Sequence, residues 1–484
     1  MVNAATTRRG EAIPRRRELV DPASFALEDS ILDIPRAVQK AGGRAVVVGG
    51  WVRDRLLGKE TKDWDFEVYG LPLERLEEVL ATLGEVIAVG RAFGVLKIKG
   101  LDADVSLPRR DNKVGRGHRG FVVELDPDLS FAEAAKRRDL TCNALAFDPL
   151  DGELLDAWGG LEDLAAGVLR AVDEETFAED TLRGLRAAQF SARLEMPLDP
   201  ALSALCARLD LRDLPAERLY EEMRKLLLKA ARPSVGLEVL RRTGMWSIFP
   251  ELEALWPVPQ DPEWHPEGDV WTHTLMVVDE AASLRSGDEE DDLTLMFGAL
   301  CHDLGKATTT VLDRGRVRSP AHEGEEGCRP TREFLQRLRA PGWLVKRVEA
   351  LVRHHLAPAL LPAGGATPRG YRRLARRLAE AEVPHALLHR LATADHFGRE
   401  TPDALAREFP EGEAFLQRME EVLAEAATGR DLVLGRHVLA RGFSPGPLVG
   451  EILKACRERQ DETGASDPEA LLDEVLAVGP WTVS

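Results

Sequence analysis

The spacing of apolar positions changes character along the chain. From residue 28 to about 160, alternating runs mix with runs spaced by three and four. This pattern predicts a helix near 28–41, a strand at 45–49, a glycine turn with a short helix, a strand at 64–69, a helix at 72–83, and strands near 85–90, 93–99 and 102–106. Beyond that point the spacing is helical, as in Leu164 to Leu169, Thr181 to Leu194 and Leu214 to Ala230. A proline-rich connector, Trp256 to Pro262, opens a largely helical stretch at 263–400 that is broken at Pro362 to Pro368 and holds nine of the eleven histidines. The remainder is helical with a turn at Gly442 to Pro447, and no internal repeat is present. The expected fold class is α+β multidomain: an N-terminal mixed sheet with helices, followed by all-helical domains. The expected divisions are a mobile arm (1–25), a head (26–165), a helical neck (166–255), the histidine-rich domain (256–400) and a helical tail (401–484).

Composition adds bounds. A chain of 484 residues exceeds a single core. No apolar run approaches the roughly 18 residues that span a bilayer, so no membrane partner is expected. Five cysteines (142, 206, 301, 328, 456) without a C-x-x-C pair argue against a disulfide framework, and a cytoplasmic protein is expected. The formal charge of −18 argues against a nucleic-acid partner only until its distribution is considered. Arg109, Arg110, Lys113, Arg116, His118 and Arg119 crowd one loop, Arg137 and Arg138 follow, and Arg369, Arg372, Arg373, Arg376 and Arg377 form a second cluster. Such tracks can bind a polyanion locally.

The densest chemistry runs from Gly49-Gly50-Trp51-Val52-Arg53-Asp54 to Lys62-Asp63-Trp64-Asp65-Phe66-Glu67. Paired glycines let backbone N–H groups approach a phosphate. Asp63 and Asp65 alternate along a strand and so share a face. Two carboxylates that close ask for a divalent cation, and an all-oxygen set suits Mg²⁺. A third acid is wanted on a neighbouring strand; Asp102 and Asp104 both satisfy the spacing.

Gly49-Gly50-x-x-Arg53-Asp54 with Asp63-x-Asp65 resembles the first motif of the class II tRNA nucleotidyltransferases and bacterial poly(A) polymerases, of the polymerase-β-like superfamily. Arg137 to Ala146 resembles their second motif, Glu179-Asp180-Thr181-Leu182-Arg183 with Arg186 their E-D-x-x-R motif, and Glu217 to Lys225 their fifth. The resemblance implies a polymerase-β-like head and favours Asp104 as the third acid. It implies two Mg²⁺ held by Asp63 and Asp65, one activating an RNA 3′-hydroxyl and one drawing charge from the triphosphate as pyrophosphate leaves. Arg53 and the glycines would steady phosphates, while Arg138, Asp139 and Asn143 would contact the nucleotide. Asp180 and Arg183, three apart on a helix face, would offer an acceptor and a donor fork that take C and A but reject U and G. Arg186 lies one turn on, and Gln189 stands where an arginine is common. The loop from Arg109 to Lys136 looks full length, and Pro108 to Phe121 resembles the loop of enzymes that add all of C-C-A. Val89 to Val95 looks unlike the poly(A) polymerase segment.

His273, the doublet His302-Asp303 and Asp395 resemble the HD phosphohydrolase superfamily, with His322, His354 and His355 able to extend a metal site. The implied ion is Mg²⁺, Mn²⁺, Ni²⁺ or Fe²⁺, and the implied chemistry is phosphatase or 2′,3′-cyclic phosphodiesterase. Leu434 to Gly450 resembles a tRNA-contacting tail. The expected function is template-independent addition of C-C-A to tRNA from CTP and ATP, with Arg109, Arg110, Lys113 and Arg116 on RNA. Alternatives are an enzyme adding only C-C or only A, an HD phosphohydrolase with an RNA-binding head, or an RNA-binding adaptor.

Overall fold

The computed structural model describes residues 16–25, 27–61, 63–90, 94–113, 121–428, 431–463, 465 and 467–481. Two compact units divide the chain, 1–253 and 254–484.

In the first unit, β1 (Arg44–Val48), β2 (Trp64–Tyr69), β3 (Val86–Gly90), β4 (Val95–Ile98), β5 (Ala103–Ser106), β8 (Ala146–Asp148) and β9 (Glu153–Leu155) build one sheet in the order β3-β4-β5-β2-β1-β8-β9. A hairpin, β6 (Arg109–Lys113) with β7 (Phe121–Leu125), forms a second sheet. Only the β2–β5 pair is parallel among these pairings. Ala45 to Val48 is buried throughout, the pattern of a strand covered on both faces. Helix α1 (Asp29–Lys40) buries Ile31, Ile34 and Val38 at helical spacing and carries Asp29 and Lys40 at the ends its dipole favours. Helices α2 (Gly50–Leu56) and α3 (Leu73–Ala81) follow β1 and β2. A capping box between Ser130 and Glu133 starts α4 (Phe131–Lys136), just before the Arg137-Arg138 pair.

The sheet is followed by α5 (Gly160–Ala166), α6 (Glu174–Glu179), α7 (Leu182–Leu194), α8 (Pro200–Cys206), α9 (Ala216–Lys229) and α10 (Pro233–Arg242). Asp173 and Asp199 cap α6 and α8 through their carboxylates. The sheet and the helix order agree with the expected fold class. In the second unit, α11 being the short Pro250–Glu253 of the first, α12 (Val270–Ser283) and α13 (Glu289–Cys301) lead a helical array.

Three details depart from the sequence reading. Of the expected arm, 1–15 lie outside the described residues, and 16–25 are anchored: Val20 N–H donates to Leu56, Arg17 N–H donates to Ala165, and Pro22–Ser24 form a 3₁₀ turn capped by Asp21. The second unit is not wholly helical, because β10 (Val311–Asp313) and β11 (Arg316–Arg318) make a hairpin. Pro362 sits within helix Ala357–Ala363, so the break begins only at Gly364. All five cysteines are buried and free. No helix among the described residues is long and apolar enough to cross a membrane.

Close packing of α10 on α7 rests on Gly236. A Cβ there would lie 2.6 Å from the Ala188 carbonyl and 3.0 Å from the Ala192 Cβ. Gly236→Ala is expected to destabilise the first unit by about 1–3 kcal/mol, read as a lower midpoint in its urea transition. A rise, which helix propensity alone would give, would show that the two helices separate freely.

Candidate functional site

In the first unit, β2 and β5 set Asp65 directly opposite Asp104. Asp63 precedes β2 and is exposed. Asp65 is exposed as well, but desolvation by the surrounding chain raises its pKa; Asp104 and Asp63 add to the shift, while Arg138 and Lys97 oppose it. The three carboxylates are thus close enough to repel one another. Lys97 Nζ lies 2.7 Å from Asp104 Oδ1, so a cation already offsets part of that charge. This all-oxygen set fits a divalent ion of the Mg²⁺ type. Of the two acids that spacing left open, Asp104 is the one in register with Asp65.

Asp65 borders a cavity of about 770 Å³. Gly49, with φ of 74°, turns β1 into α2, and a Cβ on it would meet Arg138 Nη1 at 3.0 Å. Its N–H donates to the Leu145 carbonyl and is not available to a phosphate. Behind the turn runs a continuous polar chain. Arg193 donates to Asp54 Oδ2 at 2.9 Å, Asp54 Oδ1 accepts from Arg53 Nε at 2.8 Å, and Arg53 Nη1 donates to Asn143 Oδ1. Asn143 Nδ2 donates to Asp139 Oδ1 at 3.0 Å, and Asp139 Oδ2 accepts from Arg186 Nε at 2.8 Å. Leu140 N–H and Arg186 Nη2 take the remaining acceptor positions of Asp139. Burial opposes ionisation of Asp139, yet Arg186 and Asn143 hold its pKa below the usual value. Arg53, Asp139 and Asn143 therefore line the cavity with their polar atoms largely committed to one another.

Asp180 is not on a helix face with Arg183. Its backbone is extended at the end of α6, where Oδ1 accepts from Leu182 N–H and helps start α7. Arg183 donates from Nη1 to Thr176 O and from Nη2 to Arg137 O, each at 2.6 Å, and Arg218 Nη2 lies 3.5 Å from Asp180 Oδ2. Both residues nevertheless line the same cavity, as do Arg138 and Arg186. Gln189 is 3% exposed and turned away from it. Arg110 pairs with Glu133 and Asp126, Lys113 ends β6, and Arg116 lies outside the described residues, as do 91–93 within the Val89 to Val95 segment.

Sequence reasoning missed three contributors here. Glu67, fully buried, is the third acid in the alternation 63, 65, 67. It accepts from Arg137 Nη2 and Tyr69 OH at 2.9 Å each. Burial would raise its pKa, but Arg138 and Arg137 keep it below the ordinary value. Phe190 stacks under both Arg53 and Arg186, whose guanidinium carbons lie 5.1 and 5.4 Å from its ring centre. Arg193 completes the spacing 183, 186, 190, 193 on one face of α7, a signal already present in the sequence.

In the second unit, His273 Nε2 is 3.0 Å from Asp395 Oδ1, and His302 Nε2 is 3.2 Å from Asp303 Oδ2. Ligand atoms of His273, His302 and Asp395 lie within 4.8 Å of one another, as do those of Asp303, His322 and His355. The Nδ1 atoms of His302, His322 and His355 sit 2.8, 2.9 and 2.6 Å from the carbonyls of Ala299, Ser319 and Val352. An Nδ1–H donated to each carbonyl leaves the Nε2 lone pairs facing the centre. The Nε2 atoms of His302 and His322 and both oxygens of Asp303 are buried without a hydrogen bond, although Lys306 Nζ stands 2.7 Å from Asp303 Oδ2. Buried acceptors left in this way fit a divalent or transition metal.

His354 does not join them. It is half-buried near Arg377, and burial followed by that charge pushes its pKa down to about 4. The neighbouring His355, 1% exposed and pushed down to about 3 by burial and then His302, is the inward residue. His265 and Glu267 were also missed: Glu267 Oε1 lies 2.8 Å from His265 Nδ1 and 2.9 Å from His273 Nδ1.

The head and the histidine centre define a protein that joins a nucleotidyltransferase-type site to an HD-type site. Family models match in that order: poly A polymerase head domain at 45–170, probable RNA and SrmB-binding site of polymerase A at 201–255, and HD domain at 270–399. The multifunctional CCA protein of Xanthomonas campestris pv. campestris (strain B100) is 37% identical over 421 residues, covering 85% of this chain and 96% of the relative. That of Stenotrophomonas maltophilia (strain R551-3) is 40% identical over 319 residues, 64% of this chain and 75% of the relative. The chain belongs to the multifunctional CCA protein family. Among solved structures, the Bacillus stearothermophilus CCA-adding enzyme in complex with CTP superposes with a TM-score of 0.60 at 24% identity, over 93% of this chain and 96% of that one. The Thermotoga maritima CCA-adding enzyme complexed with tRNA-CCA gives 0.57 at 18%, over 95% and 99%. These likenesses show a shared fold.

His355→Ala is expected to weaken metal binding about 10- to 100-fold by calorimetry, and His354→Ala to leave it within about twofold. Equal effects would return His354 to the site.

Proposed function

We propose that this chain adds C, C and A to the 3′ end of tRNA from CTP and ATP, releasing pyrophosphate, without a nucleic-acid template. The observation that carries this reading is that Asp65, in register with Asp104, lines the same cavity as Arg138, Asp180, Arg183 and Arg186. Relatives named multifunctional CCA proteins, matched over nearly their full length, support it. Asp63, Asp65 and Asp104 would hold Mg²⁺, and the histidine centre a second type of divalent ion, supplying Lewis-acid charge and lowering the pKa of a bound hydroxyl or water.

The protein's own groups supply the rest. Arg138, close to Asp65 and Gly49, offers charge to the triphosphate. Selection falls to Asp180 and Arg183, which present an acceptor and a donor to a base edge. Because Arg183 is tied to two carbonyls, the donor is fixed in place before a nucleotide arrives, a preorganised sieve in place of a pairing strand. Arg109 and Arg110 lie on the β6–β7 hairpin, where we place RNA contact together with Lys113 and Arg116. The chain is placed in the cytoplasm, with its neck (166–255) and tail (401–484) on tRNA.

For the second unit we propose hydrolysis of 2′,3′-cyclic phosphoesters and phosphomonoesters. Water adds to phosphorus, one P–O bond to ribose breaks, and the released oxygen takes a proton. Asp303, His302 and their partners would hold the ion, and Lys306 and Arg399 add charge beside Asp303 and Asp395.

Incorporation of labelled nucleotides into tRNA lacking its end, ending in C, and ending in C-C is expected on all three substrates. Incorporation of C alone, on the first two substrates, would indicate a C-C specialist; incorporation of A on the third alone would indicate an A specialist; and none at all would sink the proposal. Asp65→Ala should lower the rate on the order of 10³-fold or more while cyclic-phosphate hydrolysis persists. Asp180→Ala should lower discrimination of CTP against UTP at least about tenfold.

A further inference from the structure

The arginine cluster at 369–377 takes no part in either site described above. It lies on one helix of the second unit, Pro368–Glu380, whose 13 residues carry five arginines and a single acid, Glu380. Tyr371, Leu374 and Leu378 are buried and pack the helix onto its own unit.

The five arginines divide by direction. Arg372 Nη2 reaches Glu425 Oε2 at 3.4 Å, and Arg376 Nη1 donates to the Glu458 carbonyl at 3.5 Å. Arg369, Arg373 and Arg377 are exposed, and none has a side-chain hydrogen bond or ion pair among the described residues. Their spacing of four sets them in one row along the helix, about 12 Å from first to last at 1.5 Å per residue.

Like charges repel in such a row, and acids interleaved at the same spacing would relieve them. The chain has acids in excess, with 82 Asp and Glu against 64 Lys and Arg. Elsewhere in the unit they are used in this way: Arg332 meets Glu349, Arg353 meets Glu325 and Arg407 meets Glu280 at 2.6, 2.6 and 2.7 Å. The row is therefore a local exception on an acidic protein, and a polyanion is its natural complement.

A bilayer and a nucleic acid are the two polyanions to weigh. A helix that lies on a bilayer inserts an apolar face, and here that face is already buried within the unit. A straight row of guanidiniums borne about 6 Å apart along the helix instead suits the successive phosphates of one strand, since each planar fork can take two oxygens.

We infer that Arg369, Arg373 and Arg377 form a docking row for the phosphate backbone of the tRNA being extended, separate from both chemical centres. The identity of the RNA rests on the nucleotidyl-transfer reading; the row adds where the second unit grips it. Phosphate contacts set affinity and position without reading sequence, so the row acts on KM for tRNA and leaves the chemical step alone.

The test uses the full chain with Arg369→Ala, Arg373→Ala and Arg377→Ala combined. Its control combines Arg36→Ala, Arg75→Ala and Arg332→Ala, which removes the same charge from arginines that are each paired with an acid. Affinity for tRNA lacking its end is measured between about 50 and 200 mM salt. The row variant is expected to bind at least about tenfold more weakly at the low end, with a slope of log K against log salt shallower by about two to three. Its KM for tRNA in C incorporation should rise by a similar factor, with kcat and KM for CTP little changed. Lysine at the same three positions should keep most of the slope, and the control should stay within about twofold of wild type. Single replacements, each lowering the slope by about one, serve if the triple variant is unstable. A wild-type slope in the row variants, or an equal loss in the control, would overturn the inference. So would loss of binding to phosphatidylserine vesicles with tRNA affinity unchanged, which would assign the row to a membrane. If wild type incorporates no nucleotide but the row variant still loses tRNA affinity and slope, the transfer reading fails and the docking row stands.

Discussion

Asp65 and Asp104 face one another across the parallel pair of strands in the head, and the topology around them follows from that placement. Parallel neighbours cannot be joined by a tight turn; a crossover must bring the chain back to the same end. Here α3, β3 and β4 make the return, so that β5 arrives beside β2 running the same way and delivers its acid to the same sheet end. Bringing carboxylates together costs electrostatic energy, which the surroundings must offset. Lys97 does so from β4, and Arg138 does so from the segment after α4, where it donates to the Asn143 carbonyl and faces the charge of Glu67. The sheet order and the cation placement thus answer to one demand, that like charges remain adjacent.

The cavity extends this logic from metal-holding acids to arginines. Three guanidiniums on its wall are fixed by acceptors from elsewhere in the chain: Arg186 by Asp139, Arg193 by Asp54, Arg183 by two backbone carbonyls. A buried cation with a carboxylate partner is tolerated where a lone one is not. Side chains held in this way keep their geometry in an empty site, as selection of a base without a template requires.

Much of this was legible in the sequence because it lies in local patterns. The alternation through Asp63 and Asp65, the glycine turn and the helical spacing of α7 each specify an element and a face. What could not be read depends on tertiary partners. Asp180 has the spacing of a helical residue, but its carboxylate caps the next helix and the chain bends there. His354 and His355 are adjacent letters, and a rotation of about 100° between them sends one toward Arg377 and the other to the buried cluster of His302, His322 and Asp303. Spacing could not choose, because the choice depends on which face of helix Gly342–His354 packs inward. Glu67 and Arg193 were within reach: both continue a period already recognised. His265 and Glu267 were not, since their role rests on Glu267 meeting His273 across the start of α12.

The tethering of three imidazoles in the second unit to carbonyls three residues earlier has a thermodynamic consequence. Those side chains surrender their rotamer freedom when the unit folds, so ion binding need not supply that ordering entropy. The free energy of ion capture is then set by bond formation, displaced water and fit to an already rigid frame. A frame of that kind discriminates among cations by size and preferred geometry, because it cannot relax toward each ion in turn.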